Sequence, residues 1–141
     1  QRRYYSGKKK RHTIKSQIVA DTGSGKIICT AVGKGRRHDF HLYKISKVFA
    51  HSNTQIIADG GYQGLQKRHS NCLLPKRASK KNPLSKEQKL CNKNINSKRV
   101  FIEHTLRKIK IFRMMAERYR NRRKRFGLRL NLIAAIINLQ L

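Results

Sequence analysis

Residues 54–62 read Thr54-Gln55-Ile56-Ile57-Ala58-Asp59-Gly60-Gly61-Tyr62. A compact apolar run ends at a carboxylate, and two glycines follow at once. The run from Thr54 to Ala58 suits a buried strand, and Gly60-Gly61 lets the backbone leave it sharply without steric cost. The combination predicts a core strand that presents an acid at its end, where an ion or a phosphate has room. The plainer alternative, that Asp59 only caps a turn, is the commoner outcome for an isolated Asp-Gly-Gly.

Working outward, His12 to Ala20 alternates loosely and ends in Asp21-Thr22-Gly23-Ser24-Gly25, a hairpin-type turn cluster. Lys26 to Val32 predicts the second strand, stopped by Gly33 and Gly35. A short helix is expected over Phe40 to Ala50, with Asp39 as its N-cap and Leu42, Ile45, Val48 and Phe49 on one face. Asn71 to Leu74 predicts a further strand before Pro75. Residues 4–75 are thus strand-rich, 76–83 form an exposed basic linker, and 84–141 are helical. One long helix is expected from about Leu84 towards Ala116, and Leu128 to Leu141 is apolar enough to be a buried closing helix. The sum is a mixed α/β domain.

The long helix carries a second informative acid. Asn96, Arg99, Glu103, Arg107 and Lys110 share one polar stripe, because residues three, four and seven apart lie on one helix face. Ile102, Leu106 and Ile109 form the adjacent apolar stripe, with Phe101 and Phe112 on its far edge. On periodicity alone, a solvated face laced with i,i+4 ion pairs accounts for this pattern better than a site does. Hard divalent cations are held by carboxylate oxygens, and two-metal phosphoryl transfer needs several such groups around ions roughly 4 Å apart. Asp59 and Glu103 would supply two, and neighbouring Arg and Lys would hold phosphates.

Composition says what such a site would act on. Lys and Arg occupy 35 of 141 positions against six acids, for a net charge of +29. Charge of one sign at this density repels itself and is tolerated when a polyanion neutralises it. The longest apolar stretch, Leu128 to Leu141, carries Arg129, Asn131, Asn138 and Gln140 and is too short to cross a bilayer, so nucleic acid is favoured over membrane. Cys29, Cys72 and Cys91 are odd in number and form no C-x-x-C pair, against a disulfide framework or a zinc ribbon. His38, His41 and His51 match no common zinc spacing. Asp21, Glu87 and Glu117 read as surface groups.

An ordered set of segments resembles the DDE transposases of bacterial insertion sequences, in the group of insertion sequences four and five. In order they are Tyr5-Ser6-Gly7-Lys8-Lys9-Lys10-Arg11-His12-Thr13, Gly35-Arg36-Arg37-His38-Asp39, and Ala58-Asp59-Gly60-Gly61-Tyr62-Gln63-Gly64. They continue with Leu84-Ser85-Lys86-Glu87-Gln88, Arg99-Val100-Phe101-Ile102-Glu103-His104, and Arg118 to Phe126. Any one is weak; the ordered set is strong and covers essentially the whole chain.

The resemblance implies a ribonuclease H-like mixed sheet flanked by helices. Asp59 takes the place of the second acid and Glu103 that of the third, both as ligands of Mg²⁺ or Mn²⁺. The family's signature around the glutamate is Tyr, two residues, Arg, three residues, Glu, six residues, Lys. Arg99, Glu103 and Lys110 fit it, and Asn96 stands in the Tyr position. Asp59, Glu103, Arg99 and Lys110 are therefore the implied catalytic group. His38-Asp39 also matches a recurrent pair of the family, with Asp39 taken as a helix cap. The family's first Asp lies upstream of the Tyr-Ser-Gly-Lys-Lys motif, so the chain is expected to be the downstream part of a longer catalytic domain. It is then expected to be inactive alone.

The implied partner is double-stranded DNA, at element ends and target. Lys8, Lys9, Lys10 and Arg11, and Arg118, Arg120, Arg122, Arg123, Lys124 and Arg125, are the candidate phosphate contacts. The active complex would be a homo-oligomer, and the setting the bacterial cytoplasm, at the nucleoid. A non-catalytic nucleic-acid binder and a decayed transposase relic remain as rival readings, since charge alone allows both.

Overall fold

The computed structural model describes residues 4–79, 82–117, 119 and 123–141. Three two-stranded sheets and four α-helices make up the fold. Strands β1 (Tyr5–Ser6) and β2 (Arg11–His12) form a short basic hairpin. Strands β3 (Ile14–Ala20) and β4 (Ile27–Lys34) form the principal one, also antiparallel. Strands β5 (Ile56–Ile57) and β6 (Cys72–Leu73) pair in parallel. The chain is α/β as anticipated, but among the described residues the strands do not join into one mixed sheet.

The turn between β3 and β4 is built by Asp21. Its Oδ2 accepts from the Ser24 N–H and hydroxyl, both at 2.7 Å, and Gly25 closes the turn at φ 79°. These bonds hold the exposed Asp21 carboxyl below its usual range, the Ser24 amide contributing most. One residue later the ladder slips. Val19 pairs with Cys29 and Ala20 with Ile27, which leaves Ile28 bulged and 68% exposed. The extra residue brings Ile27 onto the face of Ile14 and Ile18, where all three join the main core.

The β3–β4 hairpin is covered on both faces. Helix α4 (Phe126–Leu139) lies on one, burying Phe126, Leu130, Ile133, Ala134 and Ile137 against Ile27 and Ile109. The Asn138 amide clasps the Ile27 backbone, accepting its N–H at 2.8 Å and donating to its carbonyl at 2.9 Å. Thr30 and Asn131 add a side-chain hydrogen bond. Helix α1 (Asp39–Ser46) covers the other face. Its Leu42 is fully buried, with Cδ1 only 3.0 Å from where a Cβ on Gly33 would stand. Gly33 therefore admits the helix, and β4 runs through it to Lys34 instead of stopping there.

Helix α1 is shorter than expected. His38, not Asp39, is the N-cap, and Lys47 ends the helix in the left-handed region at φ 53°. Ile45 and Phe49 are exposed, and Leu42 is the one residue of the helix that is buried. The predicted strand at 54–58 contracts to two paired residues, each half-buried. Helix α2 (Lys86–Ile111) opens on a capping box between Ser85 and Gln88. It breaks at Phe112, whose ψ of 106° separates it from α3 (Arg113–Ala116). Leu128, Leu132 and Leu139 on α4 are exposed, so that helix is buried along one face only. Among the described residues no helix is long and apolar enough to cross a membrane.

Candidate metal and nucleic-acid sites

Strand β5 delivers Asp59 to the start of a single 3-10 turn, Gly60–Tyr62. Its Oδ1 accepts the Gly61 N–H at 2.7 Å, so the acid does cap the turn. Its other oxygen forms no hydrogen bond or ion pair among the described residues. Capping and metal binding are thus compatible here, each with its own oxygen.

A second carboxylate stands beside it. A Cβ on Gly61 would lie 2.5 Å from Asp39 Oδ2 and 2.8 Å from Asp59 Oδ1. The two acids converge on a gap that exists because residue 61 has no side chain. Asp39 opens α1, where a carboxylate is favoured by the amides of the first turn. The Lys15 ammonium holds it at 3.0 Å and also donates to the Arg37 carbonyl at 2.6 Å. Arg77 packs over the neighbouring glycine, its Nε 3.2 Å from where a Gly60 Cβ would be.

Tyr62 packs edge-on against Tyr43, their rings 6.5 Å apart. Burial pushes its hydroxyl well above the usual tyrosine value, and the negative charges of Asp39 and then Asp59 push it further. The hydroxyl stays protonated near neutrality. It adds a neutral polar group to the neighbourhood, not a third anion.

Glu103 sits on the exposed side of α2. Neither Arg99 nor Arg107 pairs with it: the ion pairs among the described residues are Lys15–Asp39 and Arg113–Glu117. The i,i+4 lacing that periodicity allowed does not form, which leaves the Glu103 carboxylate without an ion-pair partner among the described residues. Arg99 is half-buried and Lys110 exposed on the same helix. Among the described residues no three His, Cys, Asp or Glu come together to hold a metal ion, so Asp39, Asp59 and Glu103 do not form one cluster. The Asp39–Asp59 pair suits a hard divalent cation in donor type, but the point the two share is a Cβ position tight against the Gly61 backbone and bounded by the capping Oδ1, so an ion would have to be held by the other Asp59 oxygen. Among the described residues the set of donors around it is incomplete.

The basic segments fall on the β1–β2 hairpin and at the start of α4. Lys8, Lys9 and Lys10 occupy the turn of the β1–β2 hairpin and Arg11 begins β2, all four exposed. Arg123, Lys124 and Arg125 form an exposed 3-10 turn leading into α4. Arg118, Arg120 and Arg122 lie outside the described residues. A cleft of about 660 Å³ separates the hairpin from α3, Tyr119, Arg123 and Phe126. Across it, the Arg123 guanidinium lies 4.5 Å from the Tyr4 ring centre. Spacing found Asp59 and the basic runs. It gave no sign of the Lys15–Asp39 ion pair or of the approach of Asp39 to Asp59, where the one available signal was the His-Asp match at 38–39.

A profile described as "DDE superfamily endonuclease" matches residues 1–138. The chain is 45% identical over all 141 residues to the "Probable transposase for insertion sequence element IS702" of Microchaete diplosiphon. The match covers 51% of that relative, so the chain spans about half the length of the curated protein it resembles. No solved structure gives a significant match.

Proposed function

Because the chain belongs to the DDE superfamily endonucleases, a family that works with divalent metal, we propose that it is part of an insertion-sequence transposase catalytic domain. The observation that carries the reading is the pair of carboxylates, Asp39 and Asp59, set around a side-chain-free gap in a chain of net charge +29. Residues 4–75 would supply the strand-rich half, 76–83 the linker and 84–141 the helical half of a ribonuclease H-like domain. The antiparallel β3–β4 pair, the parallel β5–β6 pair and the covering helices support that arrangement.

Asp59 holds Mg²⁺ or Mn²⁺ through the oxygen its cap leaves free, and Glu103 is the second ligand, brought to it in the assembled complex. Asp39, tied to Lys15, keeps the Gly61 turn and hence Asp59 in place. When bound, the cation supplies charge stabilisation at the phosphoryl oxygens and activates the attacking water or 3′-hydroxyl. Arg99 and Lys110 hold flanking phosphates beside Glu103. The exposed cations at 8–11 and 123–125, with Arg118, Arg120 and Arg122, carry the duplex backbone. The reaction is strand cleavage at element ends followed by joining to target DNA, in a homo-oligomer at the bacterial nucleoid.

The test is Mn²⁺ titration followed by calorimetry and thermal melting, with and without duplex DNA. The expected result is metal-dependent stabilisation that Asp59→Asn abolishes and Glu103→Gln weakens, with DNA affinity falling steeply as salt rises. The incomplete cluster gives specific support to one rival, a DNA binder without catalysis. Tight, salt-sensitive duplex binding with no response to Mn²⁺ would establish that rival instead.

A further inference from the structure

The cleft between the β1–β2 hairpin on one side and α3, Tyr119 and Arg123 on the other has a composition that duplex backbone binding does not require. Phosphates call only for cations on an accessible surface. Here Lys9, Lys10, Arg11 and Arg123 line the cleft together with the aromatic residues Tyr4, Tyr5 and Tyr119. Tyr5 is 43% exposed and meets His12 edge-on, their rings 5.8 Å apart. Arg123 lies over Tyr4, and Tyr119 and Phe126 form a second edge-to-face pair at 4.9 Å. Glu117, the acid among the lining residues, is engaged by Arg113 at 2.8 Å, so it offers an incoming phosphate little free negative charge.

Aromatic faces set inside a cationic cleft are useful to a ligand that carries both phosphates and exposed ring faces. Paired bases in a duplex keep their faces stacked on each other. Unpaired bases do not, and stack on protein rings while cations follow the backbone. The cleft volume of about 660 Å³ lies within the range of sites that enclose small aromatic ligands.

We propose that this cleft binds an unpaired stretch of nucleotides, of the kind found at a frayed or overhanging DNA end, with a base against Tyr5 and its phosphates on Lys9 and Lys10. The proposal rests on the reading of the chain as a DNA-acting protein and adds the form of DNA it takes at this surface. It also divides the exposed cations between two roles. The cleft takes single strand, and the cations outside it take duplex.

The experiment compares binding of a labelled blunt duplex with the same duplex carrying a short single-stranded overhang, by fluorescence anisotropy. The chain is expected to favour the overhang by about ten-fold, the effect of one stacked base. Tyr5→Ala should erase that preference and leave blunt binding unchanged, Tyr5→Phe should keep it, and Lys9→Ala should weaken overhang binding more than blunt. Tyr5 is on the surface, so a thermal melt matching the parent confirms that the variant is folded. His12→Ala gives an independent reading should Tyr5→Ala fail to fold. Strong duplex binding with no overhang preference overturns this proposal alone. Absence of binding to either DNA overturns it together with the transposase reading, and equal competition by polyglutamate would reduce the cleft to a general polyanion surface.

Discussion

Asp39 Oδ2 and Asp59 Oδ1 lie 2.5 and 2.8 Å from one point, the place a Cβ would take on Gly61. The relationship spans twenty positions of sequence and joins the first turn of α1 to the end of β5. Two like charges held this close are tolerable because Lys15 neutralises one and the Gly61 amide binds the other.

Gly61→Ala tests how firmly the pair is held. Alanine would ordinarily stabilise slightly by restricting the unfolded chain. Here its methyl meets two carboxylates that are each anchored, and the cap must open to admit it. A net loss of about 1–3 kcal/mol in urea unfolding is expected. A gain would mean that both acids swing aside freely.

Tyr62 gives an alkaline signature. Its hydroxyl is harder to ionise in the folded chain, first through burial and then through Asp39 and Asp59. The resulting stability is fully present below the ordinary tyrosine value near 10 and is lost as pH rises past it. Tyr62→Phe should flatten that part of the decline, seen as a smaller drop in denaturant midpoint between about pH 8 and about pH 11. Tyr43, Cys29 and Cys72, also raised by burial, contribute to the same decline. Identical slopes in parent and variant would count against the burial of Tyr62.

Asn138→Ala removes both bonds to the Ile27 backbone. Ile27 is 6% exposed, so its amide and carbonyl would be left with little access to water. The expected cost is about 2–3 kcal/mol. Asn138→Asp keeps an acceptor and loses the donor, and should fall between alanine and the parent in thermal melts.

Ser85→Ala removes the hydroxyl that accepts the Gln88 amide at 3.1 Å. A loss of about 1 kcal/mol is expected, read as lower helical circular dichroism at the melting midpoint of the parent. Gln88→Ala should cost less, since its bond to the Ser85 amide is longer, at 3.3 Å, and solvent can replace it.

Local pattern made much of this legible. The Asp21–Gly25 turn, the two long strands beside it and the acid at the end of β5 follow from alternation and turn chemistry. What escaped were features set by partners distant in sequence. Gly33 reads as a strand breaker until Leu42 is seen to need its space. Ile28 carries no mark of a bulge, because register is fixed by Val19 and Ala20 across the ladder. The kink at Phe112 has neither proline nor glycine to announce it. Asp39 reads as a cap from its position before a short helix; only tertiary placement sets it against Asp59. The long helix placed Glu103 on a polar face correctly, but periodicity carries no information about whether its neighbours reach it, and they do not.

The clasp between Asn138 and Ile27 closes a loop of 111 positions. Contacts so distant in sequence are formed late, because the entropy of closing the loop precedes any reward from the contact. A growing chain would expose the α4 face of β3 and β4 until residue 138 has cleared the ribosome. During that interval Ile14, Ile18 and Ile27 lack their cover, and the acid-lined face beneath α1 is already complete in sequence. Synthesis would thus assemble the Asp39–Asp59 side first, with the helix that seals the core arriving last.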